Sequence, residues 1–257
     1  MSGDALIGHS GFVGGALLRQ RPFDALFNSH NIDAIFGRTF DTVICAGVPA
    51  VKWAANKDPN ADWAAIGGLI DHLKTIEARS FVLISTIDVY RQPIGVTEHD
   101  APSPAGLHPY GLHRLRLEAF VAERFARHAI VRLPALFGTG LKKNAVYDLI
   151  HLNQTEKIIP NAAFQWYPTR RLGADLDLIA RADVSLINIT AEPVAMSTIR
   201  DRFFAATPIG PPVADPPLYD ARSVHDRLLG GHGGYHLTAG QTLAEMSDYL
   251  AEMKGTH

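Results

Sequence analysis

The stretch LIGHSGFVGGAL (6–17) sets Gly8, Gly11 and Gly14 at the spacing G-x-x-G-x-x-G. The apolar run DALIG (4–8) just before it reads as a buried strand, and FVGGALLRQ (12–20) as the amphipathic helix that the turn opens. A strand that passes through glycines directly into a helix admits few folds. Without side chains at Gly8 and Gly11 the backbone can approach a pyrophosphate, and the helix N-terminus aims free N–H groups and partial positive charge at it. Gly14 lets the helix pack close to the strand. Ser10, Phe12 and Val13 complete the turn as candidate contacts to a dinucleotide. The competing reading is a tight turn with no ligand.

The rest of the first half repeats the alternation. FDALFN (23–28), FDTVICAG (40–47), SFVLIST (80–86) and AIVRLPALFG (129–138) read as strands, and helices are expected near 61–78 and 110–127. The strands are continuous apolar runs, not alternating ones, which implies a doubly wound parallel sheet covered on both faces. The second half is less regular: a helix near 143–153, a strand at 185–190, five prolines within 207–220, and a closing helix at 242–253. These features predict an α/β fold with a dinucleotide-binding sheet domain over 1–160 and a smaller, irregular substrate lobe over 161–257, with 185–190 returning to the sheet.

Charge narrows the function classes. Lys+Arg 24 against Asp+Glu 26 leaves a net charge of −2 with no long run of either sign, poor footing for nucleic acid or a membrane surface. No apolar run approaches the roughly 18–20 residues that span a bilayer, and the start MSGDALIGHSG lacks the pattern of a signal peptide. The single cysteine, Cys45, lies within TVICAG and reads as a small core residue suited to a reducing cytoplasm. The 12 histidines fall at no convincing metal-ligand spacing, and HGGYH (232–236) reads as a glycine-rich turn.

Dinucleotide sites often carry an acidic residue at the end of the second strand to hold the ribose 2′-hydroxyl. Here that strand ends in NSHN (28–31). Asn28, Ser29 and His30, with Arg38 nearby, suit a 2′-phosphate and favour NADP over NAD; the alternative is that they are ordinary polar loop residues.

The glycine turn, STIDVY at the end of a strand, and Tyr110 opening the later helix in HPYGLHRLRLE (108–118) together resemble the extended short-chain dehydrogenase/reductase family. Within it the chain is most similar to nucleotide-sugar epimerases, dehydratases and ketoreductases, over roughly residues 3–190. The resemblance implies a Rossmann fold, an NADP or NAD coenzyme and a small-molecule substrate. In the family a Ser or Thr, a Tyr and a Lys four residues after the Tyr act beside the nicotinamide. The corresponding positions here are Thr86, Tyr110 and Arg114.

Arginine in place of lysine needs a physical account. A tyrosine ordinarily loses its proton near pH ~10, and a nearby cation favours the phenolate. Arg114 shares a helix face with Tyr110 and supplies that field, but guanidinium cannot pass a proton onward. Arg114 is also spaced to form a surface ion pair with Glu118, which would leave Tyr110 an ordinary aromatic near a helix start. Both readings stand at this point.

By the same resemblance, Ala46, Gly47 and Ser85 line the coenzyme, with Ile32 and Asp33 flanking the adenine. Pro134 approaches the nicotinamide, and Asn144 touches the substrate's diphosphate beside Lys142 and Lys143. Asp88, two residues after Thr86, either contacts substrate or caps a loop, and Ile87 stands where dehydratases carry the first of an Asp–Glu pair, which counts against elimination of water. In FQWYPTRRLGADL (164–176), Trp166 and Tyr167 with Arg170 and Arg171 suit a sugar ring and phosphates, or else the aromatics are core. The helices near 61–78 and 110–127 resemble those through which family members dimerise, implying a homodimer. The expected function is an NAD(P)-dependent oxidoreductase or epimerase acting on a nucleotide sugar or a related keto or hydroxy compound. The alternatives are a dinucleotide-binding sensor or scaffold with little turnover, and an isomerase or lyase that recycles its coenzyme.

Overall fold

The first turn is built from backbone pressed against backbone. The computed structural model describes residues 3–255, and in it Ala5–Ile7 (β1) leads through the glycines into Phe12–Gln20 (α1). Gly8 has φ +86°, and a Cβ there would lie 2.4 Å from the carbonyl oxygen of Ala46. A Cβ on Gly14 would lie 2.1 Å from the carbonyl oxygen of Gly8. Only hydrogen fits at either position. Gly11 differs: it is exposed, and its nearest neighbour would be the Gly8 oxygen at 3.3 Å.

Along the chain follow Ala25–Phe27 (β2), Thr39–Cys45 (β3), Lys52–Lys57 (α2), Pro59–Leu73 (α3), Glu77–Thr86 (β4), Pro109–Arg124 (α4) and His128–Leu133 (β5). The later elements are Ala135–Phe137 (β6), Ala145–His151 (α5), Ala163–Phe164 (β7), Trp166–Pro168 (β8), Leu172–Arg181 (α6), Leu186–Asn188 (β9), Val194–Ala195 (β10), Met196–Phe203 (α7) and Ala239–Gly255 (α8). Six strands form one parallel sheet in the order β2-β1-β3-β4-β5-β9. The order reverses between β1 and β3, so a crevice opens beyond their carboxyl ends, where sheets of this kind bind ligands. The usual dinucleotide order 3-2-1-4-5-6 would add a strand outside β2. Here the chain from Asn28 to Arg38 makes a single 3-10 turn, Ile32–Ile35, instead.

Both faces of the sheet are dry, as continuous apolar strands require. Ala5, Ile7, Val43, Cys45, Phe81 and Leu83 point to one face, under Ile66 and Leu73 of α3 and Leu117 and Val121 of α4. Leu6, Ile44, Val82, Val131 and Ile187 point to the other, under Leu17 of α1 and Leu172, Leu176 and Ile179 of α6. Cys45 is fully buried, and burial pushes its thiol up to about 11. A third cluster joins α5, α7 and α8 around Phe137, Trp166, Met196 and Met246.

Some boundaries differ from the sequence expectation. The strand expected over 129–138 is two strands, because Pro134 lacks an N–H and ends β5; β6 then pairs with β8 in a separate two-stranded sheet. The helix expected to 78 stops at Leu73, where the Thr75 hydroxyl donates to the His72 carbonyl at 2.7 Å and frees Glu77 and Ala78 for β4. Residues 207–220 contain no helix and no strand beyond bridges at Leu218 and Asp220.

Replacing Gly14 by alanine should destabilise the protein by roughly 1–3 kcal/mol, the usual cost of forcing atoms into a filled site. A lowered urea midpoint with an unchanged slope would show it.

Candidate active site

The side chains expected to do chemistry lie where β4, α2 and the start of α4 converge. Thr86 ends β4, and its Oγ1 accepts from the Asp88 backbone N–H at 3.1 Å, capping a short 3-10 turn at Ile87–Val89. The turn presents the Asp88 carboxylate, whose Oδ1 accepts from Lys52 Nζ at 2.8 Å and from the Tyr219 hydroxyl at 2.8 Å. Lys52 Nζ also donates to the Tyr219 oxygen at 3.1 Å. Helix α4 begins with His108 as N-cap, its Nδ1 accepting from the Gly111 N–H at 3.0 Å, and with Pro109 in the first turn. A Cβ on Gly111 would lie 2.2 Å from the Asp88 carbonyl, so this glycine lets α4 start directly against the turn. The Tyr110 backbone N–H donates to Asn56 Oδ1 of α2 at 3.0 Å.

Arg114 lies one helical turn further on, its guanidinium carbon 3.9 Å from the centre of the Tyr110 ring. Its Nη1 donates to Asp62 Oδ2 at 2.6 Å and to the Tyr110 carbonyl at 3.1 Å. Its Nη2 donates to Asp62 Oδ1 at 2.9 Å and to the Pro49 carbonyl at 2.5 Å. Both terminal nitrogens therefore have an acceptor for each of their hydrogens. Asp62, from α3, also meets His113 Nδ1 at 2.7 Å. The expected surface pair with Glu118 does not form. Arg114 and Glu118 are both buried, at 4% and 3% exposure, and Glu118 instead takes a two-pronged contact from Arg132.

The electrostatics follow from that packing. Burial raises the Tyr110 phenol above its usual value; Arg114 opposes this, Asp88 adds to it, and a Thr86 hydrogen bond and Lys52 lower it, with a net upward shift. For Asp62, burial alone would raise the carboxyl, but Arg114 and His113 outweigh it and hold it below the usual range. Burial and the nearby Arg114 charge lower Lys143, which donates to the Ala50 carbonyl.

The glycine turn flanks this cluster on the β1 side. Gly47 closes against Ile7, and the Ala46 N–H pairs with the Ile7 carbonyl at 2.9 Å. Gly11 starts α1 without a side-chain cap, leaving that helix end open beside exposed Ser10 and half-buried Phe12 and Val13. Asn28 Nδ2 sits 3.1 Å from the His9 ring, and its Oδ1 accepts from the His30 N–H. Arg38 begins at the opposite, amino end of β3 and lays its guanidinium on the rings of Phe27 and Phe40. Pro134 is buried directly after β5.

Other candidates are engaged elsewhere. Ser85 is buried and donates to Glu118. Asn144 caps α5: its Oδ1 accepts from Val146 and Tyr147, and its Nδ2 donates to the Leu136 carbonyl. Trp166 is 2% exposed within the third cluster, so it is a core residue and not a substrate contact. Tyr167 is equally buried and bonds Asp175, while Arg170 and Arg171 pair with acidic residues of α8. Four residues of the cluster were not anticipated: Lys52, Asn56, Asp62 and Tyr219. Asp62 carries a readable signal, a lone carboxylate in the small and apolar stretch ADWAAIGG. Tyr219 carries none, since nothing in the proline-rich stretch marks one residue as facing a site 131 positions earlier.

No family model matches the chain, and no curated protein is similar enough in sequence to match it. Solved structures do match. A dTDP-4-dehydrorhamnose reductase from Bacillus anthracis in complex with NADP superposes with a TM-score of 0.77 at 17% identity, over 98% of this chain and 99% of that one. The chain shares its fold. MoeE5 in complex with UDP-glucuronic acid and NAD gives 0.73 at 18% identity, and a UDP-galactose 4-epimerase gives 0.72 at 16%, each over 97% of this chain and 99% of the other. No helix among the described residues is long and apolar enough to cross a membrane.

Asp62→Asn should cost about 3–5 kcal/mol, because it leaves Arg114 buried without its counter-charge. A carboxyl held below its usual range stabilises the fold above that range and loses the contribution as pH falls through the depressed value. Denaturant melts from pH 7 down to pH 2 should therefore show an acid-side loss in the natural protein that the variant lacks.

Proposed function

We propose that the chain is an NAD(P)-dependent reductase or epimerase of a nucleotide sugar or a related keto or hydroxy compound. The observation that carries the reading is the Tyr110 phenol, near Thr86 and with the Arg114 guanidinium 3.9 Å from its ring centre, at the carboxyl end of the sheet beside the glycine turn. The turn suits a pyridine dinucleotide: Gly8 and Gly14 are needed by the fold itself, whereas Gly11 leaves an exposed, uncapped helix end. Gly8, Ser10, Gly11, Phe12, Val13 and Gly14 would hold the pyrophosphate. Asn28 with His9 would meet the adenosine ribose, Ala46 and Gly47 the adenosine side, and Pro134 the nicotinamide. The exchange of Asp or Glu for Asn28, together with the NADP-bound neighbour, supports NADP, and the NAD-bound neighbour keeps NAD open.

The bound coenzyme would supply or accept hydride; the chain's own residues handle the oxygen and its proton. Thr86 orients the substrate oxygen, and Tyr110 donates the proton to it or removes the proton from it. Arg114 adds positive charge beneath the phenol, fixed in place by Asp62. Asp88 is held by Lys52 and Tyr219, and its neighbour Ile87 is buried and apolar, so the turn offers no second free carboxyl for eliminating water. In this reading residues 1–160 hold the coenzyme, and residues 161–257 complete the substrate side, with Tyr219 at its edge.

Calorimetry should detect binding of NADPH or NADH, and keto nucleotide sugars should drive loss of the reduced-nicotinamide absorbance. Tyr110→Phe should keep coenzyme affinity and lower turnover by about 10²–10⁴-fold. Absence of affinity for either coenzyme would remove the reading; coenzyme binding with turnover untouched by Tyr110→Phe would remove Tyr110 from it.

A further inference from the structure

A helix that carries the phenol of a site must be held both along its axis and about it. Leu117 and Val121 of α4 lie on the sheet through apolar contacts, which have no preferred direction. Tyr110, Arg114 and Glu118 follow one another at four-residue steps, share one face of α4 and are all buried. Arg114 ties that face to α3 through Asp62. Glu118 ties it to the sheet. Its Oε1 accepts from Ser85 Oγ of β4 at 2.5 Å and from Arg132 Nε of β5 at 3.1 Å, and its Oε2 accepts from Arg132 Nη2 at 2.6 Å.

The same pair brackets the turn that carries Thr86 and Asp88. Ser85 immediately precedes Thr86 and is the register partner of Arg132 in the sheet. Beyond the turn, the Tyr90 hydroxyl accepts from Arg132 Nη1 at 2.7 Å and from Asn188 Nδ2 at 3.3 Å, and donates to the Thr97 carbonyl at 2.7 Å. The Arg132 guanidinium carbon also lies 5.0 Å from the centre of the Tyr90 ring. One carboxylate and one guanidinium thus join α4, β4, β5 and the segment after the turn, in a place where each is only 3% exposed. Stability is a poor reason for such a pair, because apolar residues of similar volume often serve as well or better. What it adds is direction: a forked contact resists both rotation of α4 and a slide along β5.

We propose that Glu118 and Arg132 are positioning residues of the active site, fixing Tyr110 against the Thr86–Asp88 turn without touching coenzyme or substrate. The inference rests on the reading of Thr86 and Tyr110 as the groups that handle the substrate oxygen. Tyr110 stands two helical turns before Glu118 on the same face, so any freedom of α4 at Glu118 is passed to the phenol. Thr86 is held from both sides, through Ser85 before it and Tyr90 after it. The fold and the site therefore place different demands on the pair: the core tolerates an apolar replacement, and the site does not. A displacement of about 1 Å at reacting groups can cost on the order of 10²-fold in rate.

The test replaces both charges at once, Glu118→Leu with Arg132→Met, so that neither is left buried alone. Urea unfolding should remain cooperative. Crystal structures of the natural protein and the variant, both without ligand, should superpose in the sheet but show Tyr110 displaced from Thr86 by about 1 Å or more. Calorimetry should give coenzyme affinity within about twofold of the natural protein, while kcat falls by about 10–10²-fold. Arg132→Lys decides the matter if the double variant does not fold: it keeps the charge opposite Glu118 but lacks the planar fork, and the same displacement is expected. A folded variant with Tyr110 and Thr86 in their original places would overturn the proposal, as would an unchanged kcat or a coenzyme affinity that falls in step with kcat. If the natural protein turned over no substrate, the functional reading would fail, and the crystallographic comparison would still decide whether the pair sets Tyr110.

Discussion

The molecule is organised around two places where a backbone carbonyl occupies the space a side chain would need. The Gly8 oxygen fills the position of a Cβ on Gly14, and the Ala46 oxygen fills that of a Cβ on Gly8. These contacts bring α1, β1 and the end of β3 within a few ångströms of one another. The crevice between β1 and β3 follows from them, and so does the level at which β3 and β4 end. Residues 46–56, 86–88 and 110–114 can then meet around one volume although the sequence scatters them. A third contact of the same kind, Gly111 against the Asp88 carbonyl, seats α4 on that volume.

Within it, the chain handles a buried cation by neutralising it completely. Taking a guanidinium out of water costs several kcal/mol unless its charge and donors are satisfied, and Asp62, Tyr110 and Pro49 satisfy the charge and both terminal nitrogens of Arg114. The result is a fixed charge, aligned by a fork on a carboxylate that also holds His113, and it joins α3 to α4 as much as it serves the phenol. Lys52 is its opposite in character: partly exposed, on a short helix, and bonded to Asp88 and Tyr219.

Much of this was legible in the residues. The glycine spacing and the continuous apolar strands point to the parallel sheet, and Thr86, Tyr110 and Arg114 do come together. The reading fell short wherever partners are distant in sequence. Spacing along one helix suggested Glu118 for Arg114, but spacing cannot say which side of a helix faces α3, and Asp62 wins because both charges are buried on that side. Asn144 looked free to bind a ligand because a helix cap consumes its amide only once the backbone at Asn144 adopts φ 110°. Trp166 and Tyr167 were equally compatible with cleft and core, since aromatic residues serve in both. Tyr219 depends on a loop whose path no local pattern encodes.

The short crossing after β2 has a consequence for the borders of the sheet. Having no strand outside it, β2 ends the sheet on that side with only three residues, too few to offer a neighbouring molecule a useful row of free amides and carbonyls. The far border is protected differently: the Asn188 N–H of β9 is taken by the Glu98 carboxylate, and Thr190 just beyond it exchanges backbone and ring contacts with His236. One border is guarded by brevity and the other by a covering segment, so the sheet resists growing by strand addition on either flank.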